Sequence, residues 1–297
     1  MNTYAQRQIF ENGARRLVQK ISIPFQKVWI PFSKLSEAKS IVNSFNDYFS
    51  CHVATTRAQV EQTLALRKEV YVSELNIIKE SHESLEEDRF DNRSYHCFIQ
   101  HRKTGLMVGS VRLITLESEQ DDLQLSSTFK GTYTKQKLSP DAHSFQKVCE
   151  ISRLTVPPIF RRKAIKELVE NGRMDTPKEY YDYRYHMMNS HHFSEIELKC
   201  FSFVAISLYF CAGSMAVHLN KPKVYVAVKP QLAKNMKYVG INFKKIGPMR
   251  DILGMRSPYY VDALQFRQRM FKTYKVLFEQ QHEQLSKHIK KLKSYSF

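Results

Sequence analysis

The sequence predicts an α+β fold: one mixed, mostly antiparallel central sheet flanked by helices, with a helical extension before it and a basic helix after it. Three observations predict it. Two strand-like runs, residues 95–101 and 106–116, flank Lys103-Thr104-Gly105, which reads as a hairpin turn. A strand pattern at 149–156 and another at 224–228 are separated by a long apolar helix pattern over 194–218. Nine glycines in 297 residues, and no internal repeat, argue against solenoids and propellers.

Residues 1–46 form the extension, where Ile9, Phe10, Ala14, Leu17, Val18 and Ile21 recur at helical spacing beside Arg15, Arg16 and Lys20. Such a helix either covers the main domain or rests on a membrane surface. The main domain runs from 47 to 262. It opens with a short strand through His52 and Val53, and Thr56 then caps a helix over 57–75 with Val60, Leu64, Arg67 and Tyr71 on one face. The acidic loop 80–91 leads into the hairpin. Residues 117–147 carry little periodicity and are long enough for a functional loop. Pro157 and Pro158 stop the next strand. The 194–218 pattern includes Phe201–Val217, apolar enough to raise a membrane span, but short and interrupted by Ser202, Ser207, Gly213 and Ser214. A buried core helix fits it better. A helix over 231–238 and strands near 243–246 and 259–262 complete the domain, and residues 263–297 form the basic amphipathic helix.

Charge narrows the partners. The net charge is +17, and residues 157–297 carry most of the excess, 25 Lys/Arg against 11 Asp/Glu. An acidic partner is expected on that half: nucleic acid, anionic lipid or an acidic carrier protein. The acidic loop 80–91 counts against nucleic acid. Cys51, Cys97, Cys149, Cys200 and Cys211 show no zinc spacing, and five scattered cysteines read as free thiols of a reducing cytosol. His186, His191 and His192 make no complete ligand set, so no metal is expected. No secretory signal is read at the N-terminus, which fits a cytoplasmic protein.

Charged residues also stand where an apolar pattern does not call for them: Arg67 on its helix stripe, Asp88 and Asp91 at the end of the acidic loop, Arg112 inside a hairpin strand, and Glu150 and Arg153 around Ile151-Ser152. Residues three apart on a strand point to opposite faces, unless a bulge re-aims one of them. Two readings stay open: a structural salt-bridge cluster, or a site where arginines hold carboxylates that in turn hold a cationic amine.

The ordered set Leu66-Arg67-x-x-x-Tyr71, Glu87-Asp88-x-x-Asp91, Gly109-x-x-Arg112-Leu113 and Glu150-Ile151-Ser152-Arg153 resembles the acyl-homoserine-lactone synthases. It is more similar to their relatives, the long-chain N-acyl amino acid synthases and exosortase-associated acyltransferases, all of GNAT-like fold. The resemblance spans about residues 48–262. It implies that Arg67, Tyr71, Asp88, Asp91, Arg112 and Arg153 shape the pocket for the amine substrate and that Glu150 is catalytic. Ile77 stands where a lactone synthase has Trp, which favours the N-acyl amino acid branch. The stretch 158–163 lacks the glycines that cradle the pyrophosphate of coenzyme A, and Arg161, Arg162 and Lys163 stand there instead. Side-chain cations suit the single phosphate of a carrier's pantetheine arm and the acidic carrier itself.

The expected activity is therefore transfer of a long-chain fatty acyl group from acyl carrier protein, or from acyl-CoA, to the amine of an amino-acid-like acceptor. No bound cofactor is needed. Glu150, through a water, takes the amine proton, and a backbone N–H where its strand splays from the next binds the oxyanion. The alternatives are an acyl-homoserine-lactone synthase using S-adenosylmethionine and, from other classes, a basic nucleic-acid-binding module or a non-catalytic carrier-binding protein.

Overall fold

The structure is a computed structural model that describes residues 35–74, 85–157, 160, 193–252 and 254–294. Helix α1 (Leu35–Tyr48) runs straight into strand β1 (Phe49–Val53), and Ile41, Val42 and Phe45 bury into the main core. The amphipathic pattern at 9–21 lies outside the described residues. Helix α2 (Arg57–Lys68) starts where Thr56 Oγ1 accepts the Gln59 N–H, and a π-helical stretch continues it over Glu69–Glu74.

Strands β2 (Ser94–His101) and β3 (Met107–Thr115) form the expected hairpin, with Gly105 in the left-handed region at φ 71°. Strand β4 (Val148–Thr155) lies antiparallel to β3 and parallel to β5 (Lys223–Val228). Helices α3 (Glu195–Phe201) and α4 (Val204–His218) precede β5, and α5 (Pro230–Met236) follows it. Two short strands, β6 (Lys244–Lys245) and β7 (Arg250–Asp251), pair with β8 (Met255–Asp262). The sheet order is β1-β2-β3-β4-β5-β8-β6, antiparallel except between β4 and β5. Helices α6 (Ala263–Arg269) and α7 (Lys272–Ser294) close the described chain. The single tail helix expected from the sequence is thus two, broken at Met270-Phe271.

Each face of the sheet has its own cover. On one, α4 is buried along most of its length beneath α6 and α7, and Cys97, Val111, Leu113, Cys149, Ile151, Val224 and Val226 share its core cluster. On the other, the 117–147 loop lays Leu123, Leu125, Phe129 and Tyr133 over Val148, Tyr225 and Tyr260. That loop therefore has a core of its own, which its lack of periodicity concealed. Among the described residues no helix is long and apolar enough to cross a membrane; the 201–217 stretch is interior helix.

One expectation is overturned. Cys51 on β1 and Cys211 on α4 form a disulfide across the sheet–helix interface, while Cys97, Cys149 and Cys200 are free and buried. The partners are 160 residues apart in sequence. No local spacing marks such a pair, because only packing of α4 on the sheet brings the two sulfurs together.

Candidate active site

Strand β4 is irregular where the site forms. Ser110 pairs with Thr155 and Arg112 with Ser152, so two β4 residues, Arg153 and Leu154, oppose one β3 residue, Val111. This is a β-bulge, and Arg153 adopts φ 51° within it. The left-handed region costs an L-residue about 1–2 kcal/mol, which the ion pairs of the re-aimed side chain offset. Close by, Gly109 allows a close approach: a Cβ there would lie 2.9 Å from the Thr155 carbonyl oxygen and 3.0 Å from Leu208 Cδ1.

The bulge turns Arg153 into a cluster of three arginines and three carboxylates. Arg67 Nε donates to Glu86 Oε2 at 2.5 Å, and its Nη1 donates to Asp91 Oδ1 at 2.6 Å. Arg112 Nη1 lies 2.6 Å from Asp88 Oδ1 and 2.9 Å from Asp91 Oδ1, its Nη2 donates to Gln124 Oε1 at 2.8 Å, and its Nε donates to Ser152 Oγ at 3.0 Å. Arg153 donates through Nε to Glu86 Oε1 and through Nη2 to Asp88 Oδ2, both at 3.1 Å. Its guanidinium also stands 5.9 Å from the centre of the Tyr71 ring, whose hydroxyl donates to the Leu154 carbonyl at 3.0 Å.

These contacts make a closed, charge-balanced lattice. Burial alone would raise the Asp91 carboxyl, but hydrogen bonding to Arg67 and the nearby Arg112 charge hold it down at about 2. Its Oδ2 also accepts the Asp88 N–H at 2.8 Å, so Asp91 spends its acceptor capacity inside the protein. Asp88 keeps 23% of its side chain exposed and is the most accessible of the three acids.

Glu150 sits apart from these pairs, on the sheet face beneath the 117–147 loop. Only 2% of it is exposed, and its Oε2 accepts the Leu125 N–H at 3.0 Å. Burial pushes its carboxyl up to about 7, although that N–H and the charges of Arg112 and Arg153 pull the other way. A carboxylate poised there suits proton transfer at neutral pH.

Beside it the sheet opens. The β4–β5 ladder ends at Ile151 opposite Val226, and both strands continue without pairing further. The resulting cleft encloses about 790 Å³, mouth included, between residues 151–154 of β4 and 226–229 around the end of β5, with Tyr71 and Tyr209 in its lining.

The hairpin, the parallel β4–β5 pair, the splay after Ile151 and the antiparallel β8 define the topology. Residues 66–171 match the model of the acetyltransferase (GNAT) domain family. The fold is GNAT-like. Solved structures similar in chain path include FeeM, an N-acyl amino acid synthase from uncultured soil microbes, at 12% identity over 75% of this chain and 96% of that one, TM-score 0.46. The CoA-dependent acyl-homoserine lactone synthase MesI is 16% identical over 78% of this chain and 95% of that one, TM-score 0.47. The AHL synthase LasI is 13% identical over 73% and 90%, TM-score 0.43. No curated protein matches the sequence.

The fold brings Arg67, Tyr71, Asp88, Asp91, Arg112 and Arg153 together, with Glu150 near them. Arg161, Arg162 and Lys163 lie outside the described residues, as do Ile77, His186, His191 and His192. Among the described residues no group of three His, Cys, Asp or Glu side chains is placed to hold a metal. Sequence spacing does not mark Glu86, which serves two arginines while its neighbour Glu87 faces solvent. It also passes over Gln124, Tyr209, Lys229 and Arg256, and gives Ser152 no role beyond its place in the 150–153 motif. The one available signal was the density of acids in residues 80–91.

Proposed function

We propose that the protein is an N-acyltransferase that moves a long-chain fatty acyl group from a carrier-bound thioester to the amine of an amino-acid-like acceptor. The observation that carries the proposal is the Glu150 carboxylate, buried on a strand that one residue later becomes the wall of a cleft. In this reading the thioester arm enters where β4 and β5 part. A β4 backbone N–H beyond Ile151, freed from the ladder, faces the developing oxyanion. The acceptor lies on the loop face, where Asp88 offers the accessible carboxylate and the rest of the lattice fixes its position. Glu150, through a water, takes the amine proton, and the thiol leaves on its carrier. The bond formed is an amide, and the bond broken is the thioester C–S bond.

Arg161, Arg162 and Lys163 are proposed to meet the carrier's phosphate, and the positive C-terminal half its acidic surface. Acyl-CoA is the alternative donor. The second functional reading, an acyl-homoserine-lactone synthase, differs in requiring S-adenosylmethionine. That substrate brings a sulfonium cation as well as an amine, and two of the three lattice carboxylates, Glu86 and Asp91, are buried against arginines.

The test is mass spectrometry of lipid extracts from cells expressing the protein, followed by reactions of purified protein with acyl carrier protein thioesters. New N-acylated amino acids support the proposal. Acyl-homoserine lactones formed only with S-adenosylmethionine support the second reading, and no acylated amine under either condition removes both.

A further inference from the structure

One guanidinium reaches both halves of the site. Arg112 turns Nη1 to Asp88 and Asp91, at 2.6 and 2.9 Å, and donates through Nη2 to Gln124 Oε1 at 2.8 Å. Gln124 begins the part of the 117–147 loop that lies over Glu150. The Leu125 N–H donates to Glu150 Oε2 at 3.0 Å, and the Gln124 N–H also faces that carboxyl. Among the described residues, the hydrogen bonds to Glu150 come from this loop backbone. The buried Leu125 side chain sets the depth of the stretch by packing with Phe129 and Tyr133. Depth does not fix where the two N–H groups lie along the sheet. The Arg112–Gln124 hydrogen bond does, because Asp88, Asp91 and Ser152 already hold Arg112 in place. Asp88, Arg112, Gln124, Leu125 and Glu150 thus form a continuous chain whose links are hydrogen bonds and one peptide bond. The other groups that face Glu150 are Arg153 on its own strand, Tyr133 from the loop and the thiol of the adjacent Cys149.

We propose that Gln124 is a positioning residue that couples the acceptor carboxylates to the base: anchored on Arg112, it places the loop N–H groups that stabilise ionised Glu150. This rests on the acyl-transfer reading above for what Glu150 does, and adds to it how the charge of the base is controlled. Donors on a loop can be withdrawn, and without them burial favours the protonated, inactive carboxyl.

The test uses two substitutions. Gln124→Met keeps the bulk and removes the acceptor. Gln124→Asn keeps the amide but stops one methylene short of Arg112, and serves should the first fail to fold. Weakening one hydrogen bond to a carboxylate is worth about one pH unit, so in either variant the Glu150 titration should rise by about that much. At pH 7 kcat/KM should then fall about fivefold, through kcat and not through the donor's KM, and recover by about pH 9. Ser127→Ala removes an exposed hydrogen bond to the Gln124 carbonyl and should leave the titration in place. Carbon-13 NMR of carboxyl-labelled glutamate reads the titration without turnover, the Glu150 resonance being the one lost in Glu150→Gln. A titration unmoved in both Gln124 variants overturns the coupling, as does an equal shift in Ser127→Ala or a loss of activity that is the same at every pH. A shifted titration in a protein that transfers no acyl group from any thioester would keep the coupling and sink the transferase reading. Transfer to an amine with an unmoved titration does the reverse.

Discussion

Replacing Glu150 with Gln separates catalysis from stability, because the two effects have opposite signs. Gln keeps the shape and can still accept the Leu125 N–H, but it cannot take a proton. A positioned general base contributes about 10²–10⁴-fold, so kcat should fall by that factor. For stability, the folded-state value near 7 stands above the ordinary 4.5. The contribution of Glu150 is then fully present below about pH 4.5 and lost as pH rises through 7, a swing of about 3 kcal/mol at 1.36 kcal/mol per pH unit. The assay is kcat/KM from pH 5.5 to 8.5, paired with urea unfolding at pH 5 and pH 8. Wild-type activity should climb with pH and level off above about 7, while its stability declines across the same range. The Gln variant should be slow at every pH and at least as stable as wild type at pH 8. Wild-type turnover in the variant would remove Glu150 as the base. A large loss of turnover without any wild-type inflection near 7 would show that its proton is not the one being moved.

Four further outcomes are expected. Arg67→Met leaves Glu86 and Asp91 short of a buried partner and should cost about 3–5 kcal/mol, read by urea unfolding. Asp91, depressed from 3.8 to about 2, contributes about 2 kcal/mol that is present above pH 4 and lost as pH falls toward 2; Asp91→Asn should flatten the acid limb of a stability–pH curve. Gly109→Ala pushes a methyl against the Thr155 carbonyl and Leu208, and should lower stability by about 1–3 kcal/mol, again by urea unfolding. Alkylation of the denatured, unreduced protein should label three of its five cysteines and spare Cys51 and Cys211; five labels would refute the disulfide.

The elements were legible in the sequence because most of them answer to period and punctuation. Thr56 caps its helix, Gly105 makes its turn, and the continuous apolar run at 224–228 is a strand buried within the sheet. The arginines and aspartates were visible as charges inside apolar patterns. Glu86 was not, since a loop has no period to say which of several adjacent acids turns inward. The split of residues 194–218 into α3 and α4 was hidden because Ser202 and Phe203 cost little in either geometry. Lys229 and Arg256 were lost in a strongly basic half, where position and not residue type distinguishes them. The left-handed Arg153 could be anticipated only as a need, because the spacing of Glu150 and Arg153 asks for a bulge without saying where the extra residue goes.

That extra residue joins two tasks in one stretch of backbone. The same kink that swings the Arg153 guanidinium toward Glu86 and Asp88 lies on the part of β4 that leaves its neighbour and lets the cleft exist. Shortening β4 by one position would therefore mend the ladder and unseat the guanidinium in a single event. The residue that carries the kink thus belongs both to the cleft wall and to the ion-pair cluster.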